Sequence, residues 1–237
     1  MIALITGASG GIGSAAARRL ANDGYTVVLH YNTQQNRAEA LAAELRGHAV
    51  AADLSSMEEI DRMVSEVTRK FGKIDLLVNN AGASLTGLFQ DITDEDAERI
   101  FRINVGGTLH TTKRVLPLML RAQHGCIINV SSVWGEVGAA CEVHYSASKA
   151  AIIGFTKALA KEVGPSGIRV NCVSPGVIDT KMNQAHSEET MRTLAEETPL
   201  SRIGHAEEVA AAIGFLASEQ ARFITGQVLP VNGGFNI

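Results

Sequence analysis

Short apolar runs alternate with longer stretches of helical periodicity along the whole chain, and that alternation leaves few folds open. The runs fall at 2–5, 26–29, 48–51, 74–78, 126–130, 169–173 and 227–231. They are mostly apolar on both faces and flanked by Gly, Asp or Asn, the pattern of strands buried on both sides. Helical stretches lie between them at 13–22, 36–45, 57–71, 94–120, 145–163 and 207–217. Their apolar residues recur three or four apart, most clearly in Ile60, Met63, Val64, Val67 and Phe71. Strand and helix in alternation imply right-handed crossovers, and so an α/β fold with helices on both faces of a doubly wound parallel sheet of about seven strands.

No linker, low-complexity segment or fixed-period repeat interrupts the 237 residues, so residues 1–237 are expected to form a single domain. A net charge of −4 gives no strongly basic face and argues against a nucleic-acid partner. No run approaches the roughly 20 apolar residues of a membrane span. Met1 leads straight into an apolar run and glycines without a basic leader, so a cytoplasmic protein is expected. Cys126, Cys141 and Cys172 have no C-x-x-C spacing, which suits neither a disulfide framework nor a zinc site. The polar, acidic stretch 182–198 reads either as a solvated helix and loop or as a lid over a site.

The first strand runs into Gly7-Ala8-Ser9-Gly10-Gly11-Ile12-Gly13 and then a helix. Glycines in that context let the backbone turn sharply and let a pyrophosphate approach a helix N-terminus, where free N–H groups favour anions. There is no G-K-[ST], so the loop is not built for a nucleoside triphosphate. The second strand closes on Tyr31, Asn32 and Thr33, where an NAD site has Asp or Glu for the ribose 2′-hydroxyl. Without a carboxylate there, Asn32, Thr33 and Arg37 are candidates to hold a 2′-phosphate, which favours NADP(H). Asp53, after the third strand, is either an acceptor for the adenine amine or a helix N-cap.

Tyr145 and Lys149 stand four residues apart, on one face of a helix. A protonated Lys beside a phenol favours the phenolate and is expected to lower the Tyr pKa, making a proton donor suited to neutral pH. Ser131 and Ser132, at the end of a strand, add hydroxyl donors. Cys141 has no basic neighbour in sequence and reads as a small hydrophobe. His144, adjacent to Tyr145, lies on another helix face.

Taken together these motifs resemble the short-chain dehydrogenase/reductase family over essentially the full chain. They are T-G-x-x-x-G-x-G at 6–13, Asp53-Leu54, N-N-A-G at 79–82, Asn104 in I-N-V, Ser132, Y-x-x-x-K at 145–149 and P-G-x-x-x-T at 175–180. The stretch from Ile224 to Gly234 is similar to the 3-oxoacyl-carrier-protein reductase branch. The resemblance implies a single-domain Rossmann fold and a catalytic set of Asn104, Ser132, Tyr145 and Lys149. Tyr145 would protonate the carbonyl oxygen while NADPH delivers hydride to carbon. Lys149 would tune Tyr145 and hold the nicotinamide ribose, Ser132 would bond the substrate oxygen, and the Asn104 backbone carbonyl would join a proton relay through water. The cofactor set it implies is Gly7, Ser9, Gly10, Gly11, Ile12, Gly13, Tyr31, Asn32, Thr33, Asp53, Leu54, Asn80, Ala81, Gly82, Tyr145, Lys149, Pro175, Gly176, Ile178 and Thr180. It also implies a homotetramer, a small-molecule or carrier-linked ketone as substrate, and no metal.

Three departures bear on this reading. Gly10 stands where many NADPH-using relatives carry Arg. Gln123 and Ser166 stand where fatty-acid reductases dock the acidic carrier with arginines, although Arg121 and Arg169 lie nearby in sequence. The stretch Trp134-Gly135-Glu136 through Ala140-Cys141-Glu142-Val143 is similar to a smaller branch that reduces an aminopentanone group on a lysine of a translation elongation factor. Carboxylates near a cleft would favour a cationic amino-ketone over an anionic carrier, unless Glu136 and Glu142 face solvent. The larger branch puts 3-oxoacyl reduction first and the amino-ketone second. A non-catalytic nucleotide sensor on the same fold is the reading of another class, disfavoured because all four members of the catalytic set are present.

Overall fold

The computed structural model describes residues 1–180 and 187–236. Among them, seven strands form one all-parallel sheet in the order β3-β2-β1-β4-β5-β6-β7. The strands are β1 (Ile2–Ile5), β2 (Thr26–Tyr31), β3 (His48–Ala51), β4 (Leu76–Asn79), β5 (Gly125–Val130), β6 (Ile168–Pro175) and β7 (Val228–Val231). Each falls within a few residues of the run that announced it.

Strand alternation divides the core in two. Ala3 and Ile5 of β1, Val27 and Leu29 of β2, and Ile128 and Val130 of β5 pack on one face. That face is covered by α1 (Gly11–Asn22), α2 (Gln35–Leu45) and α9 (Ala206–Ala217), through residues such as Leu20, Leu41 and Ile213. Leu4, Val28 and Ile127 face the other way. There they meet α3 (Met57–Phe71), α5 (Gly107–Ala122) and α7 (Val143–Val163), through Met63, Met119 and Val163. Strands buried on both faces need the near-continuous apolar runs the sequence has. Local signals set the helix ends: Ser56 Oγ accepts from Glu59 N–H at the start of α3, and Gly72 closes it at φ 74°.

The helix expected over 94–120 is interrupted. It runs as α4 (Asp94–Phe101), a π-helical turn at Arg102–Gly106, then α5. Within that turn Gly107 N–H reaches back five residues to Arg102 O, and Asn104 sits in the bulge. Such bulges turn side chains out of the regular helical register. Two short helices complete the set, α6 (Trp134–Val137) and α8 (Glu188–Glu197). α8 falls within the stretch expected as helix and loop or lid, of which 182–186 lie outside the described residues.

Chain order reverses at β1, whose neighbours are β2 and β4. Connections from these strands leave to opposite faces, which opens a crevice beyond their carboxyl ends. Thr6 stitches the two ends together there: its Oγ1 accepts from Asn80 N–H and Ala81 N–H, each at 3.0 Å.

Candidate active site

A cleft of about 1110 Å³ lies along that crevice, from the glycine loop to the start of α7. At one end Gly7, Ser9, Gly10, Gly11, Ile12 and Gly13 line it. Gly7 leaves β1 at φ 64°, and a Cβ on it would meet Ala81 Cα at 2.8 Å. A Cβ on Gly13 would run into the Gly7 carbonyl oxygen, so the loop can be this tight only with glycine at both positions. Among the described residues no side chain caps α1, and its first turn holds no acidic residue, so the N–H groups there can receive an anion. This cradle and donor set fit a pyrophosphate.

Asn32, Thr33, Asp53 and Leu54 line the same end, and Asn80, Ala81 and Gly82 form the wall beyond β4. Asn80 also holds the loop, since its Nδ2 donates to Thr6 O at 2.9 Å and Gly7 O at 3.2 Å. Asp53 Oδ1 accepts from Ser55 N–H at 2.8 Å, but the N-cap of α3 is Ser56, not Asp53. Pro175, Gly176, Ile178 and Thr180 close the far side. Two residues expected at this end are not among the described lining residues. Tyr31 does not line the cleft; alternation along β2 gives that position to His30, its neighbour. Arg37 also lies outside the lining and donates to Gln34 Oε1 at 2.9 Å.

At the other end Ser132, Tyr145 and Lys149 come together. Ser132 follows β5; its hydroxyl accepts from Trp134 N–H at 3.2 Å and lowers the pKa of the neighbouring Tyr145 phenol. Ser131 Oγ donates to Lys149 O at 2.8 Å, tying α7 to the end of β5. Lys149 is 5% exposed and donates from Nζ to Val130 O at 3.0 Å. Asn104, 1% exposed, stands behind the wall rather than in it. Its Oδ1 accepts from Ala83 N–H at 2.8 Å, and its Nδ2 donates to Ser148 Oγ at 3.0 Å. Ser148 in turn donates to Tyr145 O at 2.7 Å, so the bulge in the long helix is linked to the first turn of α7.

The electrostatics differ from the expectation for the Tyr–Lys pair. Burial pushes the Tyr145 phenol up to about 12, against a lowering by the Ser132 hydrogen bond, with the Glu142 carboxylate adding to the rise. Burial also pushes Lys149 down to about 8. The phenol is therefore a neutral donor, and Lys149 does not offset the burial of its neighbour.

Further lining residues lie outside the expected catalytic and cofactor sets, and of these Phe235 carried no sequence signal for the site. Trp134 and Phe235 meet edge to face with centroids 5.3 Å apart, joining α6 to the C-terminal segment across about a hundred residues of chain. Glu142 lines the cleft beside Tyr145, and Thr190, Leu194 and Glu197 of α8 reach it as well. Glu136 is absent from the lining. Among the described lining residues the carboxylates are Asp53, Glu142 and Glu197, and the one cationic side chain is Lys149. Cys141 is exposed at φ 62°, and His144 stacks on Phe89 at 5.1 Å between centroids; neither lines the cleft.

Comparison with known proteins places this arrangement in context. Residues 7–236 match a family model described as enoyl-(acyl carrier protein) reductase. The chain is 43% identical over 240 residues to the uncharacterized oxidoreductase YmfI of Bacillus subtilis (strain 168), covering 99% of this chain and 98% of that protein. It is 42% identical over 239 residues to the 3-oxoacyl-[acyl-carrier-protein] reductase FabG of Aquifex aeolicus (strain VF5), covering 98% and 96%. Against the FabG of Staphylococcus aureus (strain N315) it is 39% identical over 237 residues, again covering 98% and 96%.

Proposed function

Because the chain belongs to the short-chain dehydrogenase/reductase family, an oxidoreductase group acting on CH–OH and C=O, we propose that it is an NADPH-dependent ketoreductase. The observation that carries this is the pairing of two ends of one cleft: a glycine cradle fitted to a pyrophosphate, and the buried set of Ser132, Tyr145 and Lys149. The loop glycines and the start of α1 would hold the pyrophosphate, Asn32 and Thr33 the 2′-phosphate, Asp53 and Leu54 the adenine, and Asn80, Ala81 and Gly82 the adenosine ribose. Pro175, Gly176, Ile178 and Thr180 would border the nicotinamide half, with Lys149 on its ribose. When bound, the reduced nicotinamide supplies the hydride.

The side chains do the rest. As the carbonyl oxygen gains negative charge, the Ser132 and Tyr145 hydroxyls donate to it, and the Tyr145 proton moves onto the oxygen. The phenolate left behind is stabilised by the Lys149 ammonium. Asn104 O accepts from Thr108 Oγ1 at 2.9 Å with one lone pair and has a second for a water that would return a proton toward Lys149. α8 serves as the lid, with Thr190, Leu194 and Glu197 over the substrate end.

The ketone we assign is a 3-oxoacyl group on an acyl carrier, reduced to the 3-hydroxyacyl form, in keeping with the names of the FabG relatives. A second reading, a cationic amino-ketone borne on a lysine of a translation elongation factor, is favoured by Glu142 beside Tyr145 and by Lys149 being the one cation among the described lining residues. Steady-state rates with an acetoacetyl thioester and an amino-ketone, each with NADPH and NADH, test both. Turnover of neither ketone sinks the ketoreductase. A kcat/KM higher for the amino-ketone, and lowered selectively by Glu142→Gln, would select the second substrate.

A further inference from the structure

His30 ends the inward face of β2 directly beneath the glycine loop, and the chemistry above makes no use of it. It is 2% exposed, and both ring nitrogens are engaged. Nδ1 accepts from Gly7 N–H at 3.0 Å, and Nε2 lies 2.9 Å from Ala52 O. Its own carbonyl accepts from Ala8 N–H at 2.9 Å. A backbone N–H only donates and a carbonyl only accepts, so these partners admit one ring state: neutral, with the proton on Nε2. The ring thus joins the residue before Asp53 to the first glycine of the cradle. Gly7 is where the loop departs from β1 in a left-handed conformation, so the set of its peptide governs where the following N–H groups face.

We propose that His30 is a positioning residue for the dinucleotide: it fixes the Gly7 peptide so that the loop is preorganised for the pyrophosphate, and its protonation in acid releases the loop and weakens binding. The inference rests on the reading of this cleft as a dinucleotide site. A protonated ring would set a second donor against Gly7 N–H, and that bond must break. The charged group facing the ring is the Asp53 carboxylate, whereas Gly7, Ala8 and Ala52 present backbone and the strand partner Val50 is apolar. Burial pulls the ring below the ordinary histidine value, against the pull of the Ala52 bond and Asp53, so release falls on the acid side of neutrality.

Calorimetric titration with NADP⁺ tests this on wild type, His30→Phe and His30→Asn. Phe keeps the ring volume and loses the acceptor, whereas Asn keeps an acceptor near the Nδ1 position and has no ring to protonate. We expect His30→Phe to bind about tenfold more weakly at neutral pH, the equivalent of one lost hydrogen bond. Its kcat at saturating NADPH should stay within about twofold, and His30→Asn should restore affinity to within about threefold. As the pH falls below the ordinary histidine range, to the acid limit at which the protein stays folded, wild type should lose affinity more steeply than His30→Asn; the 2′-phosphate titrates identically in both. Equal affinity of wild type and His30→Phe, or equal losses in acid by wild type and His30→Asn, overturns the proposal. If His30→Phe does not fold, the acid comparison decides alone. A wild-type protein that binds no dinucleotide overturns the site reading, and this inference with it.

Discussion

Lys149 Nζ lies 5.7 Å from the centroid of the Tyr145 ring, yet its hydrogen bond goes to Val130 O at 3.0 Å, at the end of β5. The ammonium is anchored to the sheet rather than to the phenol. Both groups are buried, and burial acts on them in opposite senses, favouring the neutral phenol and the neutral amine. On the mechanism proposed above, the site would hold its proton on Tyr145 until a carbonyl oxygen demands it, with the cation kept close for the resulting phenolate.

Removing that proton is the direct test. Tyr145→Phe is expected to lower carbonyl reduction by about 10²–10⁴-fold, the usual worth of a positioned general acid. NADPH affinity should change little, because one oxygen is lost from a helix otherwise held by Ser131, Ser148 and Asn104. Lys149→Ala should reduce both rate and cofactor affinity. Turnover by a folded Tyr145→Phe protein at the wild-type rate would remove Tyr145 from the mechanism.

The Lys149 shift sets a pH dependence. With the amine pushed down to about 8, reduction should hold below that pH and decline above it as the ammonium is lost. Stability of the cofactor-free protein responds in the other direction. Between about 8 and the ordinary lysine value of 10.5 the unfolded chain binds a proton that the folded chain has released, so this group adds stability as pH rises. Tyr145 reverses the trend above 10.0, where the unfolded phenol ionises and the folded one, near 12, does not. Melting curves for wild type and Lys149→Met across pH 7–10 check the sign: the wild type should gain on the variant.

Cofactor choice follows from the end of β2. We expect a higher kcat/KM with NADPH than with NADH, because Asn32 and Thr33, not a carboxylate, line the adenosine end there. Asn32→Asp should shift preference toward NADH by repelling a 2′-phosphate and accepting from a 2′-hydroxyl. Tyr31→Asp should do much less, since that side chain lies outside the lining. Steady-state kinetics of both variants with both cofactors separates the two positions, and an equal response would place residue 31 back in the site.

Residues 31 and 30 also mark where the sequence was legible and where it was not. Strands, helices and the glycine cradle are written locally, in apolar runs, 3.6-residue periodicity and turn glycines. The run at β2 is apolar on both faces, so it does not announce which residue of its polar end faces the cleft, and His30 rather than Tyr31 is among the lining residues. The phenol–amine pair was legible as spacing, whereas its pKa values depend on burial by β5, β6 and the long helix, which no local pattern encodes. The meeting of Trp134 with Phe235 arises from tertiary contact alone, whereas α8, which reaches the cleft, falls in the stretch read as solvated helix and loop or as lid. The bulge at Asn104 is of the same kind, since its sequence reads as uninterrupted helix.

For the homotetramer expected from the sequence, we propose one face of α7 as the contact surface. On α7, Ile152, Thr156, Leu159 and Val163 are buried, while Ala147, Ala150, Ala151, Gly154 and Ala158 are exposed in one chain. Ile153 and Phe155 are only half-buried. A face of small residues lets a second helix approach closely, and a twofold axis would bring the same face of a partner onto it. Phe101 and Leu120 on the helix alongside, and Phe215 and Phe223 near the C-terminal strand, are exposed too, with Phe223 fully so, which supplies further apolar surface for contacts between protomers. Light scattering at micromolar concentration should give about 100 kDa, four copies of the 25.1 kDa chain. Gly154→Arg then tests the surface itself. Among the described residues nothing lies within 4 Å of a Cβ at that position, so the protomer has room for the side chain and should fold with its melting behaviour largely kept. Between two helices packed through small residues the same side chain has no room and brings a charge with no partner. The variant should fall to a lower oligomer, and one that keeps the wild-type mass would exclude this face of α7 from the assembly.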